Sequence, residues 1–244
     1  MKLGFLTDIH FRDAVPGTSS IAARECRRMD EILPRCLDAL VAAQVDLVVC
    51  AGDCVDEPAA PGVEADLATL GRHFAASGLP AILVPGNHDP APERFYEVLP
   101  RPPRRCRYGD CEVITFFDDV WEAWCERARR SMASLELMRT LLGPPEPEVA
   151  LSVTIQHYVV FPEHTGTGYR HTYENDGEIR EILEHSPRRL VVLSGHRHAG
   201  HPLTVHRGVT YFTGRALCEH PYPYYILHTE GAALRVEALS VAVP

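Results

Sequence analysis

Short apolar runs that stop abruptly at polar residues recur along the chain. The opening Lys-Leu-Gly-Phe-Leu-Thr ends at Asp8; such a run predicts a buried strand that delivers polar side chains at its C-terminal end. From about Ala22 to Ala43, Met29, Ile32, Leu33, Leu37, Leu40 and Val41 fall on one helical face, with Pro34 expected to kink or split the helix. Val45 to Ala51 predicts a second strand, closed by Gly52-Asp53-Cys54-Val55-Asp56. After the loop Glu57 to Gly62, a helix is predicted over Val63 to Ser77. A third strand, Ala81 to Val84, ends in Pro85-Gly86-Asn87-His88-Asp89-Pro90. Further strands are predicted over Glu112 to Phe117, Leu151 to Gln156 and Leu190 to Leu193, with helices over Trp121 to Leu142 and Asp176 to Glu184. Short segments around Leu203, Tyr211, Tyr225 and Val236 alternate with turns as an antiparallel sheet. The order strand, helix, strand, helix, strand is that of an α/β protein, in which ligands bind at the C-terminal edge of the strands.

Composition narrows the classes. The 244 residues are 45% hydrophobic and 23% charged, which excludes disorder and predicts one domain spanning 1–244. A formal charge of -9 argues against unspecific binding to nucleic acid or anionic membrane. Lysine occurs once, at Lys2, and arginine supplies the other 23 of the 24 basic residues. Walker A loops and Schiff-base or Ser-Lys catalysis are thereby excluded. The 8 cysteines, Cys26, Cys36, Cys50, Cys54, Cys106, Cys111, Cys125 and Cys218, form no CxxC pair and sit among apolar neighbours. They read as reduced core thiols, and with no spanning-length apolar run and no signal-peptide pattern the expected location is cytoplasmic.

Five predicted strand ends carry Asp8-x-His10, Gly52-Asp53-x-x-Asp56, Gly86-Asn87-His88-Asp89, His157 and Gly195-His196-x-His198. Singly, each is ordinary loop or core chemistry. Jointly they collect histidines and carboxylates at one edge. In an extended chain, residues i and i+2 share a face, about 7 Å apart, so Asp8 with His10 and His196 with His198 are each expected to point two ligands the same way.

These blocks, complete and in order from Asp8 to beyond His198, resemble the calcineurin-like metallophosphoesterase superfamily. The resemblance implies two packed mixed sheets flanked by helices, a four-layer α/β/β/α sandwich. It implies two metal ions, one held by Asp8, His10, Asp53 and His198, the other by Asp53, Asn87, His157 and His196, with Asp53 bridging. His88 would act on the scissile phosphate, steered by Asp56. Four imidazoles, oxygen donors from Asp8, Asp53 and Asn87 and no thiolate suit Mn, Fe, Zn or Co better than Ca or Mg alone. Two such ions acidify a shared water and clamp the attacking and departing oxygens of an in-line displacement at phosphorus, so the expected reaction is hydrolysis by a bridging hydroxide.

Departures from the family's branches shape the expected substrate. Glu57-Pro58 follows Asp56 where the protein Ser/Thr phosphatases carry Arg-Gly, and Phe11-Arg12 follows His10 where the DNA-repair nucleases carry a small residue and Gly. Gly86-Asn87-His88-Asp89 resembles the small-molecule phosphodiesterases, and the stretch from Asn175 to Gly200 is similar to the ADP-ribose/CDP-alcohol diphosphatases. The expected partner is thus a small, nucleotide-like phosphodiester or pyrophosphate; a phosphomonoesterase, a DNA nuclease and a non-catalytic scaffold such as the retromer subunit are the alternatives. Arg12, Asn87 and His88 are the expected substrate contacts. Arg197 also adjoins ligands, although alternation with His196 and His198 would turn it away. Arg101, Arg104, Arg105 and Arg107 read as a solvated loop before a phosphate site. The loop Phe161 to Tyr173, with His164, Gly166, Gly168, Tyr169, Arg170 and His171, reads equally as a substrate loop or a plain connection. Tyr222, Tyr224 and Tyr225 read as sheet core before base-stacking groups.

Overall fold

The computed structural model describes residues 1–117, 119–121, 128–165 and 168–242. In chain order the strands are β1 (Lys2–Leu6), β2 (Leu47–Cys50), β3 (Ala81–Leu83), β4 (Arg105–Tyr108), β5 (Cys111–Thr115), β6 (Asp119–Trp121), β7 (Ala128–Arg130), β8 (Leu151–Ile155), β9 (Leu190–Ser194), β10 (His201–His206), β11 (Val209–Thr213), β12 (Pro223–Glu230) and β13 (Ala233–Ser240). The helices are α1 (Met29–Ala42), α2 (Val63–Ser77), α3 (Pro92–Val98), α4 (Met132–Leu141) and α5 (Asp176–Glu184). One sheet has the order β13-β12-β1-β2-β3 and the other β10-β11-β9-β8-β5-β4, with a separate β6-β7 hairpin. Both are mixed: β1 runs parallel to β2 and antiparallel to β12, and β9 runs parallel to β8 and β11 while β10 returns antiparallel.

Period-two alternation sends each strand's side chains into two cores. Leu3 and Phe5 of β1 and Leu47 and Val49 of β2 join Val153, Ile155, Val191 and Leu193 between the sheets. On the other face, Leu6, Val48 and Cys50 pack with Leu33, Leu37 and Leu40 of α1 and Leu67 and Leu70 of α2. Leu190 and Val192 of β9 pack with Leu135 and Met138 of α4 and Ile179 and Leu183 of α5. The result is helix, sheet, sheet, helix, as the resemblance implied. Burying both faces of the central strands β1, β2, β5, β8 and β9 explains why they read as continuous apolar runs.

The structure differs from the sequence reading in places. Pro34 sits inside α1 without splitting it, because its neighbours Leu33, Leu37 and Leu40 are anchored in the helix–sheet core. The helix expected from Trp121 is α4 alone, preceded by the β6-β7 ladder, in which Asp119 pairs with Arg130; residues 122–127, Cys125 among them, lie outside the described residues. Arg105 and Arg107 pair with Glu112, Glu146 and Glu148, while Arg101 and Arg104 lie over Phe117. Tyr222, Tyr224 and Tyr225 are buried, as sheet core should be. Among the described residues no helix is long and apolar enough to cross a membrane.

Candidate metal centre

The strand ends converge at one edge of the sandwich, but not as extended i, i+2 pairs. β1 stops at Leu6 and β9 at Ser194, so Asp8, His10, His196 and His198 all lie in loops beyond the ladders. Asp8 (φ 53°), His10 (φ 47°), Asp53 (φ 52°) and His196 (φ 64°) occupy the left-handed region, which non-glycine residues enter at a cost. These turns aim the side chains inward. Backbone hydrogen bonds from Asp8 N to Gly52 O (3.0 Å) and His10 N to Asp53 O (2.9 Å) hold the first two loops side by side. Gly86 is required by close approach: a Cβ there would collide with Asp53 Oδ1.

Two donor groups result. Atoms of Asp8, His10, Asp53 and His198 lie within 4.8 Å of one another, and so do atoms of Asp53, His157 and His196. Asp53 belongs to both. Its Oδ2 is 3.5 Å from His10 Nε2 and its Oδ1 is 3.3 Å from His157 Nε2. His10 Nε2 also faces His198 Nε2 at 3.2 Å, and His198 Nε2 faces Asp8 Oδ1 at 3.5 Å. Asn87 Oδ1 approaches His157 Nε2 at 3.1 Å, beside His196 Nδ1 at 3.2 Å. All seven residues expected as ligands from the sequence are therefore brought together.

The surrounding bonds fix the imidazoles. His157 Nδ1 meets the Ala51 carbonyl at 2.7 Å and His198 Nδ1 meets Glu219 Oε1 at 2.5 Å; a carbonyl or carboxylate only accepts, so both Nδ1 atoms carry hydrogen. The Nε2 atoms are thereby turned into the centre, the carboxylate–histidine arrangement common behind metal ligands. His196 reaches Tyr169 Oη with Nε2 at 3.2 Å and turns Nδ1 inward. His157 Nε2 faces three acceptors at once, Asp53 Oδ1, Asn87 Oδ1 and His196 Nδ1, of which a single proton can serve one well. Lone pairs gathered around a common point, mainly nitrogen and oxygen with the Cys218 sulfur close to His10 and His198, fit a divalent transition metal.

Electrostatics agree with a cation-seeking centre. Burial would raise Asp53, but His157 and then His88 and His10 hold it well below the ordinary carboxylate range. Burial pushes His10 down to about 3 and holds His196 well below its ordinary value. Burial would lower His157 too, yet Asp53 and Asp8 raise it to about 10. Burial raises Asp8 despite His198 and His157.

The residues expected to act on substrate divide. His88 faces the cleft, but its Nδ1 donates to the backbone carbonyl of Asp56 at 2.7 Å. The Asp56 carboxylate turns instead to His10 Nδ1 (3.3 Å) and Arg12 Nε (3.3 Å). Steering of His88 by the Asp56 side chain is therefore replaced by a main-chain contact, while the side chain orients His10. Against the effect of burial, His10 and then Arg12 hold the Asp56 carboxyl below its ordinary value. Arg12, expected to touch substrate, is 5% exposed and paired with Asp56 and Glu57. A cleft of about 370 Å³ opens over Asp53, Asn87, His88, His196 and His198, and its walls include Arg24, Tyr169, His171 and Glu219. Of the segment Phe161 to Tyr173, Tyr169 and His171 line this cleft. Sequence reasoning missed Arg24, Glu219 and also Asp89, whose buried carboxylate accepts from the N–H groups of Gly86, Cys54 and Val55. Asp89 stands in the Gly86-Asn87-His88-Asp89 block with no role assigned to it, whereas Arg24 and Glu219 carry no local signal: Arg24 closes a turn after Ile21-Ala22-Ala23, and Glu219 lies 21 residues from the histidine it orients.

A protein with a four-layer sandwich and paired histidine–carboxylate clusters at the strand ends belongs to a recognisable class. The chain is a member of the calcineurin-like phosphoesterase family, whose sequence model matches residues 1–200. Among curated proteins none matches it. Among solved structures it is similar to a dimetal phosphatase from Danio rerio, at 13% identity with 99% of each chain covered and a TM-score of 0.73. A protein from Thermus thermophilus is similar at 12% identity, again with 99% of both chains covered and a TM-score of 0.59. The inner-membrane-complex anchor of Plasmodium shares the fold too, at 10% identity with 99% of this chain and 84% of that one covered and a TM-score of 0.59.

Proposed function

We propose that this protein is a dinuclear metal-dependent hydrolase of small phosphoesters. The observation that carries the reading is the single carboxylate, Asp53, shared between two buried donor groups, Asp8–His10–His198 and His157–His196, with Asn87 beside the second. Two divalent ions bound there would acidify a shared water and neutralise charge on the phosphoryl oxygens. Mn, Fe and Zn are the ions whose preferences match this donor set. The similarity to a dimetal phosphatase supports two ions as well.

This chain's own groups supply the rest. Asn87 and His88 stand on one loop at the floor of the cleft, where His88 Nε2, 3.4 Å from Arg24 Nη1, can meet an ester oxygen. Its Nδ1–H contact with the Asp56 carbonyl fixes the ring while leaving Nε2 to exchange a proton with a departing alkoxide. Tyr169, 47% exposed, and His171, their rings 4.6 Å apart, form a wall on which a nucleobase can stack. That wall supports a nucleotide-like substrate; a phosphodiester or pyrophosphate linkage is proposed on the likeness of the Gly86-Asn87-His88-Asp89 block to small-molecule phosphodiesterases. Filled ligand positions favour catalysis over a non-catalytic scaffold. Seven described cysteines are free thiols, six of them buried, which supports a reducing, cytoplasmic setting; the two sheets with their shared inner core support a single domain over 1–244.

Elemental analysis of protein purified without chelator, followed by screening of the Mn-loaded form against mono- and diester chromogenic substrates and a nucleotide panel, tests the reading. The expected result is two transition-metal ions per chain and higher kcat/KM on diesters or pyrophosphates. One ion at saturation would sink the dinuclear site. Strong preference for p-nitrophenyl phosphate over its diesters would refute the linkage assignment.

A further inference from the structure

Glu57, not arginine, directly follows Asp56, and Arg12 is spent on Asp56 and Glu57. Among the described residues lining the cleft, Arg24 is the one Lys or Arg side chain. It arrives on the segment between the first loop and α1, far from every block that the sequence singles out. That segment is held firmly: Arg24 N closes a turn on Ile21 O at 3.0 Å, Glu25 N bonds Cys218 O at 2.9 Å, and the Arg27 guanidinium donates to the carbonyls of Asp13, Gly17 and Val15. Arg24 is thus presented by a braced loop.

Its charge is poorly met by the protein. The side chain is 12% exposed, and Nη1 is 3.7 Å from an Asp56 oxygen that already serves His10. The same Nη1 is 3.4 Å from His88 Nε2, and Nε is buried with no hydrogen-bond partner. A guanidinium offers five donors in a fixed fork and never loses its charge. A fork left this unsatisfied beside a cluster of metal-ligand atoms calls for an oxyanion with several acceptor oxygens. We propose that Arg24 is the phosphate-gripping residue of this protein, binding non-bridging phosphoryl oxygens of the substrate next to His88. The inference rests on the phosphoester reading of the cleft and deepens it. Arg24 touches substrate in a place where the motif pattern provides no cation.

The test uses full-length, Mn-loaded wild type, Arg24→Gln and Arg24→Lys. Calorimetry measures binding of inorganic phosphate and orthovanadate, elemental analysis gives metal content, and kinetics are taken on p-nitrophenyl phosphate and its methyl diester. Arg24→Gln should weaken phosphate binding about 10- to 100-fold and raise KM more than it lowers kcat. The loss should be larger on the dianionic monoester than on the monoanionic diester. Arg24→Lys, a point charge without the fork, should fall between. Both variants should keep wild-type metal content. Phosphate affinity in Arg24→Gln equal to wild type overturns the proposal while leaving the hydrolase reading standing. Loss of metal in both variants also overturns it, since Arg24 would then act through Asp56 and His10. Wild type that binds metal but neither phosphate nor ester removes the hydrolase reading and this inference together.

Discussion

Metal capture at the Asp53–His157–His196 group should expel one proton, and that proton can be assigned. In the metal-free chain Asp53 is held ionised and His196 neutral, whereas His157 is raised to about 10 by Asp53 and Asp8. At pH 7 His157 in that state therefore carries a proton on Nε2, the atom that faces Asp53, Asn87 and His196. Its Nδ1–H stays on the Ala51 carbonyl, so the hydrogen that leaves is the one on Nε2. Affinity at this group should rise about tenfold per pH unit from neutrality until near 10, giving about a thousandfold between pH 7 and 10. Calorimetric titration of Mn into chelator-treated His10→Ala protein, in two buffers of different ionisation enthalpy, isolates this group and counts the proton. No proton released, or an affinity flat between pH 7 and 9, would refute the assignment. Linkage gives the sign for stability in the metal-free state. A histidine raised above its ordinary 6.5 contributes stability that is complete below 6.5 and lost as pH climbs through about 10. The Tm of the chelated protein should fall over that window, and that of the loaded protein should not.

Asp53→Asn removes the shared negative charge, so equilibrium dialysis should show weaker binding of both ions, whereas a change confined to one would separate the two groups. His88→Ala should retain metal and lose kcat by about 10²–10⁴, with a smaller loss on nitrophenyl than on alkyl esters; an equal loss across leaving groups would make His88 an electrostatic clamp instead. Asp56→Asn should lower affinity for the ion held by His10 more than it changes the leaving-group dependence of kcat, because its carboxylate pairs with His10 Nδ1 while His88 Nδ1 bonds the Asp56 main-chain carbonyl; the reverse pattern would restore steering of His88 by the side chain. Gly86→Ala should destabilise the metal-free fold by about 1–3 kcal/mol in urea unfolding, through overpacking on Asp53.

The regular elements were legible because burial writes them into the sequence. α2 and α5 coincide with the predicted Val63 to Ser77 and Asp176 to Glu184, and β1, β2 and β8 lie inside their apolar runs. Weakly patterned elements were not: α3 is 7 residues long, and β4 is an edge strand without a fully buried residue. Within the site, residues adjacent in motif blocks could be read, since short loops keep Asp8 near His10 and Asn87 near His88. Their geometry could not, because the left-handed turns at Asp8, His10 and His196 replace the extended pairs that simple alternation predicts. Glu219 and Arg24 were invisible for another reason: each meets the site only through tertiary docking.

The pairing of β1 between β2 and β12 governs when the centre can exist. Lys2 lies opposite His228 in the ladder, so the strand that leads into Asp8 and His10 is flanked on one side by a segment made more than two hundred residues later. The other sheet, which brings His157, His196 and His198, closes against the same inner core. A nascent chain exposes Asp8, His10 and Asp53 early but holds no cage, and such long-range pairing is slow to form. Under the two-ion reading, ions would therefore be captured by a finished fold and not during synthesis. The metal pair in a given preparation would then record which ions were free where folding ended, and refolding in defined metal should rewrite it.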